Sequence, residues 1–331
     1  MMLASGEWRS RKEISNPRSM GFHLPSFYSS WLTWGDMAEI FLRSKDYPDK
    51  FQNVVNSWWA EPWTQGTTEE TPDNLIPLVA EYKDETVPAP AILLTSGVDV
   101  QKGFLFYVIR AWARDGESWL VKYGQVEALN DIEALFWGQH LGYLQEVSGK
   151  RLLVSMAAID AGYRTDEVYD FVRRHHDRAR AIKGASTKPK APVTGSRIDY
   201  YPDGKVIPGG MVLWTIDTDY FKTVLTSRMA PADGQPIKWH IPAHVTQQYA
   251  EQVTAEHKMK IRSPRSGRIV EEWRLKEGHK HNHFFDAEVY ALAAAYIAGI
   301  QYQTIPQAEA QKLEQPKSPW SFSGGKGWFR R

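Results

Sequence analysis

The chain has 331 residues, which is a length for about two domains and ample for a substantial hydrophobic core. Its 40 Lys and Arg residues against 39 Asp and Glu residues give a net charge of +1, so overall charge argues neither for nor against a nucleic-acid partner. The sequence contains no cysteine, which excludes disulfides and thiolate metal sites. Oxygen ligands remain, with histidine, and these suit Mg²⁺ or Mn²⁺.

The N-terminal part of the chain is predicted to be helical. It lacks the apolar core of a secretion signal, and no apolar run approaches the roughly 20 residues that cross a bilayer, so we expect a soluble, cytoplasmic protein. Residues 1–64 form one segment, with helices predicted near Trp34–Ser44 and Pro48–Trp58. Residues 65–90 are rich in Thr, Glu and Pro and are predicted to be a linker.

The main domain is predicted to span residues 91–301. It opens with three consecutive strands, which short polar connections should join into an antiparallel meander: Ile92–Val98, Phe104–Arg114 and Ser118–Gln125. The later elements are a helix at 131–145, a strand at 152–159, a helix at 165–175, strands at 180–183 and 211–215, a helix at 217–228 and a final helix at 285–298. The strand–helix–strand stretch requires a parallel crossover.

This order of elements predicts the fold class. It is typical of an α/β, ribonuclease-H-like domain, in which a mixed sheet of an antiparallel meander plus parallel strands is flanked by helices. Residues 302–331 are rich in Pro, Gly, Ser and Gln and are predicted to be a flexible C-terminal tail.

Three acids stand at the ends of apolar elements. Asp99 and Asp160 each end an apolar run that reads as a buried strand, and Asp286 opens the apolar helix FFDAEVYALAAAYIAGI. An Asp after a strand is often a turn former, and one near a helix start is often a cap. Carboxylates side by side repel each other, and a divalent cation relieves that repulsion. The three together therefore predict a two-metal site for phosphodiester hydrolysis, with Asp99 as the ligand shared by both ions.

Other acids compete for a place in this site. Asp217 and Asp219 also follow a strand and open a helix, and a capping role is favoured for Asp217. Glu288 lies two positions beyond Asp286, so on a helix it points about 200° away and is expected to miss the site.

A lysine and three histidines lie near the predicted acids. Lys183 ends a short strand, where it would either neutralise the scissile phosphate and orient water or be solvated or salt-bridged. His279, His281 and His283 precede Asp286. For them we favour phosphate contacts or solvent exposure over metal ligation, since Mg²⁺ prefers oxygen ligands.

Two basic clusters are candidates for contact with DNA phosphates. They comprise Arg173, Arg174, Arg178 and Arg180 in the first cluster, and Lys258, Lys260, Arg262, Arg265 and Arg268 in the second. The second contains a polar SPRSG turn between two strand-like arms, which predicts a basic hairpin; the alternative is an ordinary solvated loop. Because no recognition-helix or zinc-finger pattern is present, we expect cleavage with weak sequence selectivity.

Several stretches resemble the large terminase subunit of tailed bacteriophages, in the lambda-type branch. In family order they are GFHLPSFYSSWLTW, FQNVVNSWWAEPW, LTSGVDVQ, AAIDAGYRTDEVYDF, AIKGAS, TIDTDYFKTVLTSRM and FFDAEVYALAAAYI, spanning roughly residues 20–300. The resemblance implies a ribonuclease-H-like endonuclease that cuts concatemeric double-stranded viral DNA in the bacterial host cytoplasm, with Asp286 as the third acid. It also implies the phage portal of the procapsid and the small terminase subunit as partners.

The sequence departs from this family in one respect. The family pairs its nuclease with a packaging ATPase, yet the chain has no G-x-x-x-x-G-K-[ST] loop. We therefore expect no ATPase activity and interpret residues 1–64 as resembling the end of the ATPase domain.

Three alternatives remain open. A transposase or resolvase would use the same acids and metals and would differ by strand transfer or junction resolution. A non-catalytic packaging or assembly remnant would keep the fold without cutting DNA. A glycoside hydrolase is suggested by the paired acids and 14 Trp residues but lacks support from the order of elements.

Overall fold

A mixed sheet forms the centre of the fold. The structure, a computed structural model, describes residues 22–45, 48–61, 72–138, 142–230, 237–262 and 269–300. The strands are β1 (Thr86–Val87), β2 (Leu93–Val100), β3 (Leu105–Trp112), β4 (Ser118–Val126), β5 (Tyr143–Gln145), β6 (Arg151–Leu152), β7 (Met156–Asp160), β8 (Ala179–Gly184), β9 (Val193–Tyr200), β10 (Val206–Ile216), β11 (Trp239–His240), β12 (Glu256–Arg262) and β13 (Ile269–Leu275). The helices are α1 (Trp34–Ser44), α2 (Pro48–Asn53), α3 (Leu129–Trp137), α4 (Thr165–Arg174), α5 (Thr218–Met229), α6 (Gln247–Val253) and α7 (His283–Ile297).

The topology confirms the predicted order of strands. Among the described residues the largest sheet has eight strands in the order β11-β4-β3-β2-β7-β8-β10-β9. Strands β2, β3 and β4 pair antiparallel as a meander, whereas β2–β7, β7–β8 and β8–β10 pair parallel. Helix α4 connects β7 to β8, as the strand–helix–strand pattern requires. The architecture is a mixed α/β sheet flanked by helices, compatible with the predicted ribonuclease-H-like fold.

Alternating side chains along the central strands build a core on each face of the sheet. On β3, Phe106, Val108 and Trp112 belong to the cluster that includes α5, α6 and α7. The intervening residues of β3 belong to the cluster that includes α3 and α4, with Leu105, Tyr107, Ile109 and Ala111 as its members from this strand. This period of two is the expected pattern of a strand that is covered on both faces.

Several elements differ from the sequence-based prediction. Helix α3 ends at Trp137, earlier than the predicted 145, because its C-cap Gly138 is in an extended conformation and β5 follows. Strand β9 and helix α6 were not predicted, since neither shows a strong apolar period. The predicted strand at 152–159 is divided into β6 and β7.

The segment predicted as a linker, residues 65–90, also differs from that expectation. From residue 72 it contains a 3₁₀ helix, Pro72–Leu78, and strand β1, which pairs with β5. Leu75, Leu78 and Val87 are buried in the two cores. Sparse apolar residues at irregular spacing hid this packing from pattern analysis, and the segment is part of the folded unit wherever the structure describes it.

The N-terminal helices match their predicted positions. Helix α1 has a capping box in which Asp36 N–H donates to the Thr33 hydroxyl and Thr33 N–H donates to the Asp36 carboxylate, which fixes where the helix begins. The second predicted helix is observed as α2 continued by a π-helical segment, Val54–Trp58. Helix α2 contacts α5 of the main domain. The predicted tail, 302–331, lies outside the described residues.

None of the described helices combines the length and the apolar character needed to span a membrane.

Candidate active site

Two of the predicted acids lie next to each other at one edge of the sheet. Strands β2 and β7 are parallel neighbours, and Val98 is in register with Ile159. The next residues are Asp99 on β2 and Asp160 on β7, so both acids stand at the carboxyl ends of adjacent strands. Sites in open α/β sheets are commonly found at this edge. The two strands that end near these acids therefore lie side by side.

A glycine brings the third acid to the same place. Gly97 lies on the face of β2 that packs against α7, and a methyl group at this position would stand 1.9 Å from the carbonyl oxygen of Ala287. The Thr95 hydroxyl donates to the Ala291 carbonyl at 2.8 Å, which ties the same two elements together. This close approach brings Asp286, in the first turn of α7, near Asp99.

The carboxylates are close enough to affect each other's protonation. Burial is the main cause that raises the pKa of Asp160 to about 6, and the charge of Asp99 adds to it. Burial likewise raises the pKa of Asp286 to about 6, with the charges of Glu256 and Asp99 adding to the effect. The pKa of Tyr290 is raised well above its usual value, first by burial and then by the charges of Asp286, Asp160, Asp99 and Glu256.

A buried lysine pairs with two of the acids. Lys222 on α5 places its Nζ 2.7 Å from Glu256 Oε2 and 3.2 Å from Asp286 Oδ1. Asn282, just before α7, donates from Nδ2 to Asp286 Oδ2 at 2.8 Å and to Glu256 Oε1 at 2.5 Å. Burial works to lower the pKa of Lys222, but the effect of the two carboxylates is larger and the pKa is raised. The lysine therefore stays charged.

Asp99 is held by polar side chains from two directions. His283 donates from Nδ1 to Asp99 Oδ2 at 2.8 Å, and Gln101 donates from Nε2 to the same oxygen at 2.9 Å. The imidazole of His283 stacks on Phe106 with ring centroids 4.5 Å apart, which fixes its plane. His283 thus contacts a predicted ligand instead of being merely solvent-exposed, and the Asp99 carboxylate has a defined orientation.

The donor set matches hard divalent cations in its chemistry. It consists of carboxylate oxygens, and the raised pKa values of Asp160 and Asp286 mark negative charge that a cation would stabilise. Throughout the described part of the chain, however, no three Asp, Glu, His or Cys side chains are grouped closely enough to hold a metal ion as they stand. The residues suit Mg²⁺ or Mn²⁺ by type, and part of their charge is balanced by Lys222.

Three further residues were considered near the acids in the sequence: Lys183, Asp217 and Glu288. Lys183 on β8 adjoins Ile182, which is in register with Asp160, and its charge lowers the pKa of Asp160 against the dominant effect of burial. Asp217 caps α5 by accepting from Tyr220 N–H at 3.1 Å, which confirms the capping role. Glu288 points away as predicted and pairs with the fully buried Arg110.

The two predicted basic clusters lie at different places. Helix α4 starts after Asp160 and leads back to the start of β8, which is parallel to β7, so Arg173 and Arg174 lie at the end of the helix that is away from the acids. Arg173 donates to the Pro208 carbonyl and pairs with Asp170. The structure therefore does not bring this cluster to the site, because the helix carries it to the opposite end of the strands.

The second cluster begins beside the acids. Strands β12 and β13 form the predicted antiparallel hairpin, and β12 starts at Glu256. Lys258 is largely buried and pairs with Asp219 at 3.1 Å, whereas the side chain of Lys260 is 69% exposed. Arg262 ends β12. Its side chain, together with Arg265 and Arg268, lies outside what the structure describes.

No sequence pattern indicates Lys222, Glu256 or Asn282. Glu256 opens a strand of mixed polarity, and Lys222 is one polar residue on a helix that shows little amphipathic pattern. They meet 34 residues apart in the chain, which local periodicity cannot show. The only local signal is that Asn282 precedes Asp286 by four residues, the spacing of one helical turn.

The fold and its edge of carboxylates place the chain in the class of ribonuclease-H-like domains. Residues 19–308 match the family described as terminase large subunit gpA, endonuclease domain, and the chain belongs to this family. It is 26% identical to the large terminase subunit of Enterobacteria phage P21 over 310 residues, covering 88% of this chain and 46% of that protein. It is 26% identical to the large terminase subunit of Escherichia phage lambda over 325 residues, covering 92% of this chain and 48% of that protein.

These matches extend over only part of each relative. The chain spans about half the length of the curated relatives it matches. No solved structure matches it.

Proposed function

We propose that this chain is a metal-dependent DNA endonuclease domain that cuts double-stranded concatemeric viral DNA during genome packaging. The observation that supports the proposal is that Asp99, Asp160 and Asp286 belong to elements that meet at one edge of the sheet. Two adjacent parallel strands supply the first pair, and the close packing of α7 on Gly97 supplies the third. Membership of the terminase endonuclease family supports the same reaction class.

Asp99, Asp160 and Asp286 would hold Mg²⁺ or Mn²⁺. When bound, two such ions supply an activated water as nucleophile and stabilise the departing oxygen of a phosphodiester. Asp99 is pre-oriented by His283 and Gln101, an arrangement that typically strengthens carboxylate ligation. Asp160 accepts from Gly162 N–H at 3.0 Å, which fixes its rotamer at the end of β7.

The protein's own cations would position the DNA strand. Lys183, whose charge acts on Asp160, would approach the scissile phosphate. The exposed Lys260 would contact the phosphate backbone, and Arg262, Arg265 and Arg268 would add to this contact. The portal of the procapsid and the small terminase subunit, implied by the resemblance, stay predictions for the packaging complex.

Plasmid cleavage tests the proposal. Purified chain should nick and linearise supercoiled plasmid with Mg²⁺ or Mn²⁺ and should be inactive with EDTA. Asp99→Ala should reduce the rate at least about a hundredfold, because it removes the carboxylate that both ions would share. Asp203→Ala, on an exposed turn between β9 and β10, is the matched control and should cleave at the wild-type rate.

Two results of this experiment would contradict the assignment. If Asp99→Ala and wild type nick plasmid equally in Mn²⁺, the activity does not come from this site. If wild type is inactive under every metal condition while remaining folded, the non-catalytic packaging role becomes the better explanation.

A further inference from the structure

We propose that Lys222 is a built-in counter-cation of the acidic site, which, together with Glu256, sets how strongly the site attracts divalent ions. This inference rests on the proposed function of the same carboxylates. It assigns a role to a lysine and a glutamate outside the three predicted acids. In this role Lys222 is a positioning residue that acts through Asp286.

The ammonium group lies between acids contributed by different elements. Its Nζ contacts both oxygens of Glu256, at 2.7 and 2.8 Å, and one oxygen of Asp286, at 3.2 Å. The lysine comes from α5, Glu256 from β12 and Asp286 from α7. Only 13% of the Lys222 side chain and 6% of the Glu256 side chain are exposed, so water screens this interaction weakly.

The contacts have a direct electrostatic consequence. Glu256 and Asp286 share contacts with Lys222 and Asn282, and Asp286 lies in the same helical turn as His283, which contacts Asp99, so these carboxylates form one region of negative charge. Lys222 cancels one of these charges and directs Asp286 by ion pairing. A positive charge at this point stabilises the metal-free cluster and repels an incoming divalent ion. Removing it should strengthen ion binding, and removing the negative charge of Glu256 should weaken it.

A second interpretation is that Lys222 and Glu256 form a structural strut without influence on the ions. Both interpretations predict lower stability when the pair is broken. They differ in the concentration of ion needed to stabilise the protein. That concentration is measured without DNA and without catalysis.

The experiment is a thermal-unfolding titration of the full chain with MnCl₂ at pH 7.5. Lys222→Met keeps the length of the side chain and removes its charge, and it should lower the Mn²⁺ concentration at half-maximal stabilisation about tenfold. Glu256→Gln should raise that midpoint by a similar factor. Lys122, on β4, is another part-buried lysine and is ion-paired with Glu85. Lys122→Met should leave the midpoint unchanged.

The outcomes separate this inference from the proposed function. Opposite shifts for Lys222→Met and Glu256→Gln support it, and Glu256→Gln alone decides the matter if Lys222→Met fails to fold. Unchanged midpoints in a wild type that binds Mn²⁺ and cleaves DNA overturn the counter-cation role and leave the nuclease proposal intact. A wild type that neither responds to Mn²⁺ nor cleaves DNA overturns both.

Discussion

At the scale of single residues, the fold disfavours the ionised forms of Asp160 and Asp286 at the edge of the sheet. Burial, and then the charge of Asp99, raise the pKa of Asp160 to about 6 from an ordinary value of 3.8. The folded protein therefore binds a proton at this site more readily than the unfolded chain does. Stability falls as pH rises from about 4 to about 6, and the full cost of the ionised group is present above that range.

Asp160→Asn should consequently stabilise the metal-free protein at neutral pH. Asparagine has no charge and can still accept from Gly162 N–H, so unfolding at pH 7.5 in EDTA should require up to about 3 kcal/mol more than in wild type. The gain should shrink towards pH 4.5, where wild-type Asp160 is protonated. Denaturant titrations of both proteins at the two pH values measure the difference.

Asp203 provides the control for this substitution. Its pKa is lowered by hydrogen bonding to Lys205, the opposite direction to that of Asp160, so Asp203→Asn should give no gain in stability at pH 7.5. If Asp160→Asn is less stable than wild type at pH 7.5 in EDTA, the charge of Asp160 is not a source of instability.

At the scale of elements, the position of α7 against β2 decides whether the third acid reaches the site. The apolar helix is buried along almost its whole length, and Gly97 allows its backbone to approach the strand more closely than any side chain would permit. The sequence marks Gly97 only as one residue of a buried strand. Its importance follows from the distance between two backbones, which no local pattern contains.

Gly97→Ala should push α7 away from β2. The new methyl group would meet backbone atoms of Ala287 and Ala291, which cannot rotate away, so we expect a loss of stability of about 1–3 kcal/mol or more. A displacement of about 1 Å at Asp286 should reduce plasmid cleavage about a hundredfold. Thermal unfolding and cleavage rates of the same preparation test both effects.

Gly103→Ala is the matched control, since a methyl group there meets no atom within 4 Å. It should keep wild-type stability. Wild-type stability and cleavage in Gly97→Ala would show that the close approach of α7 is not required.

At the scale of the whole molecule, the sequence predicts those features that follow from patterns among residues close together in the chain. Asp99 and Asp160 were found because apolar runs end at them, and parallel pairing then places such ends together. Leu75 and Leu78 were missed because their burial depends on surfaces supplied by distant parts of the chain. The pair of Lys222 and Glu256 was missed for the same reason.

A second long-range pair, between Arg110 and Glu288, connects the sheet to the helices that cover it. Both side chains are fully buried, with Arg110 Nε 2.5 Å from Glu288 Oε2. The guanidinium of Arg110 also donates to Ser118 Oγ at 3.1 Å on β4 and lies 4.1 Å from the Trp239 ring of β11. The Tyr249 hydroxyl of α6 donates to Glu288 Oε1 at 2.5 Å. Five elements therefore meet at one ion pair.

Arg110→Met should destabilise the protein by about 3–5 kcal/mol, because Glu288 would keep a buried charge without a partner. Adding Glu288→Gln removes that charge and keeps an acceptor for Tyr249, so the double variant should recover much of the loss. Guanidinium unfolding of wild type, both single variants and the double variant gives the coupling energy directly. The two residues act independently if the loss of unfolding free energy in the double variant equals the sum of the losses in the two single variants. In that case packing around Trp239 holds these elements together.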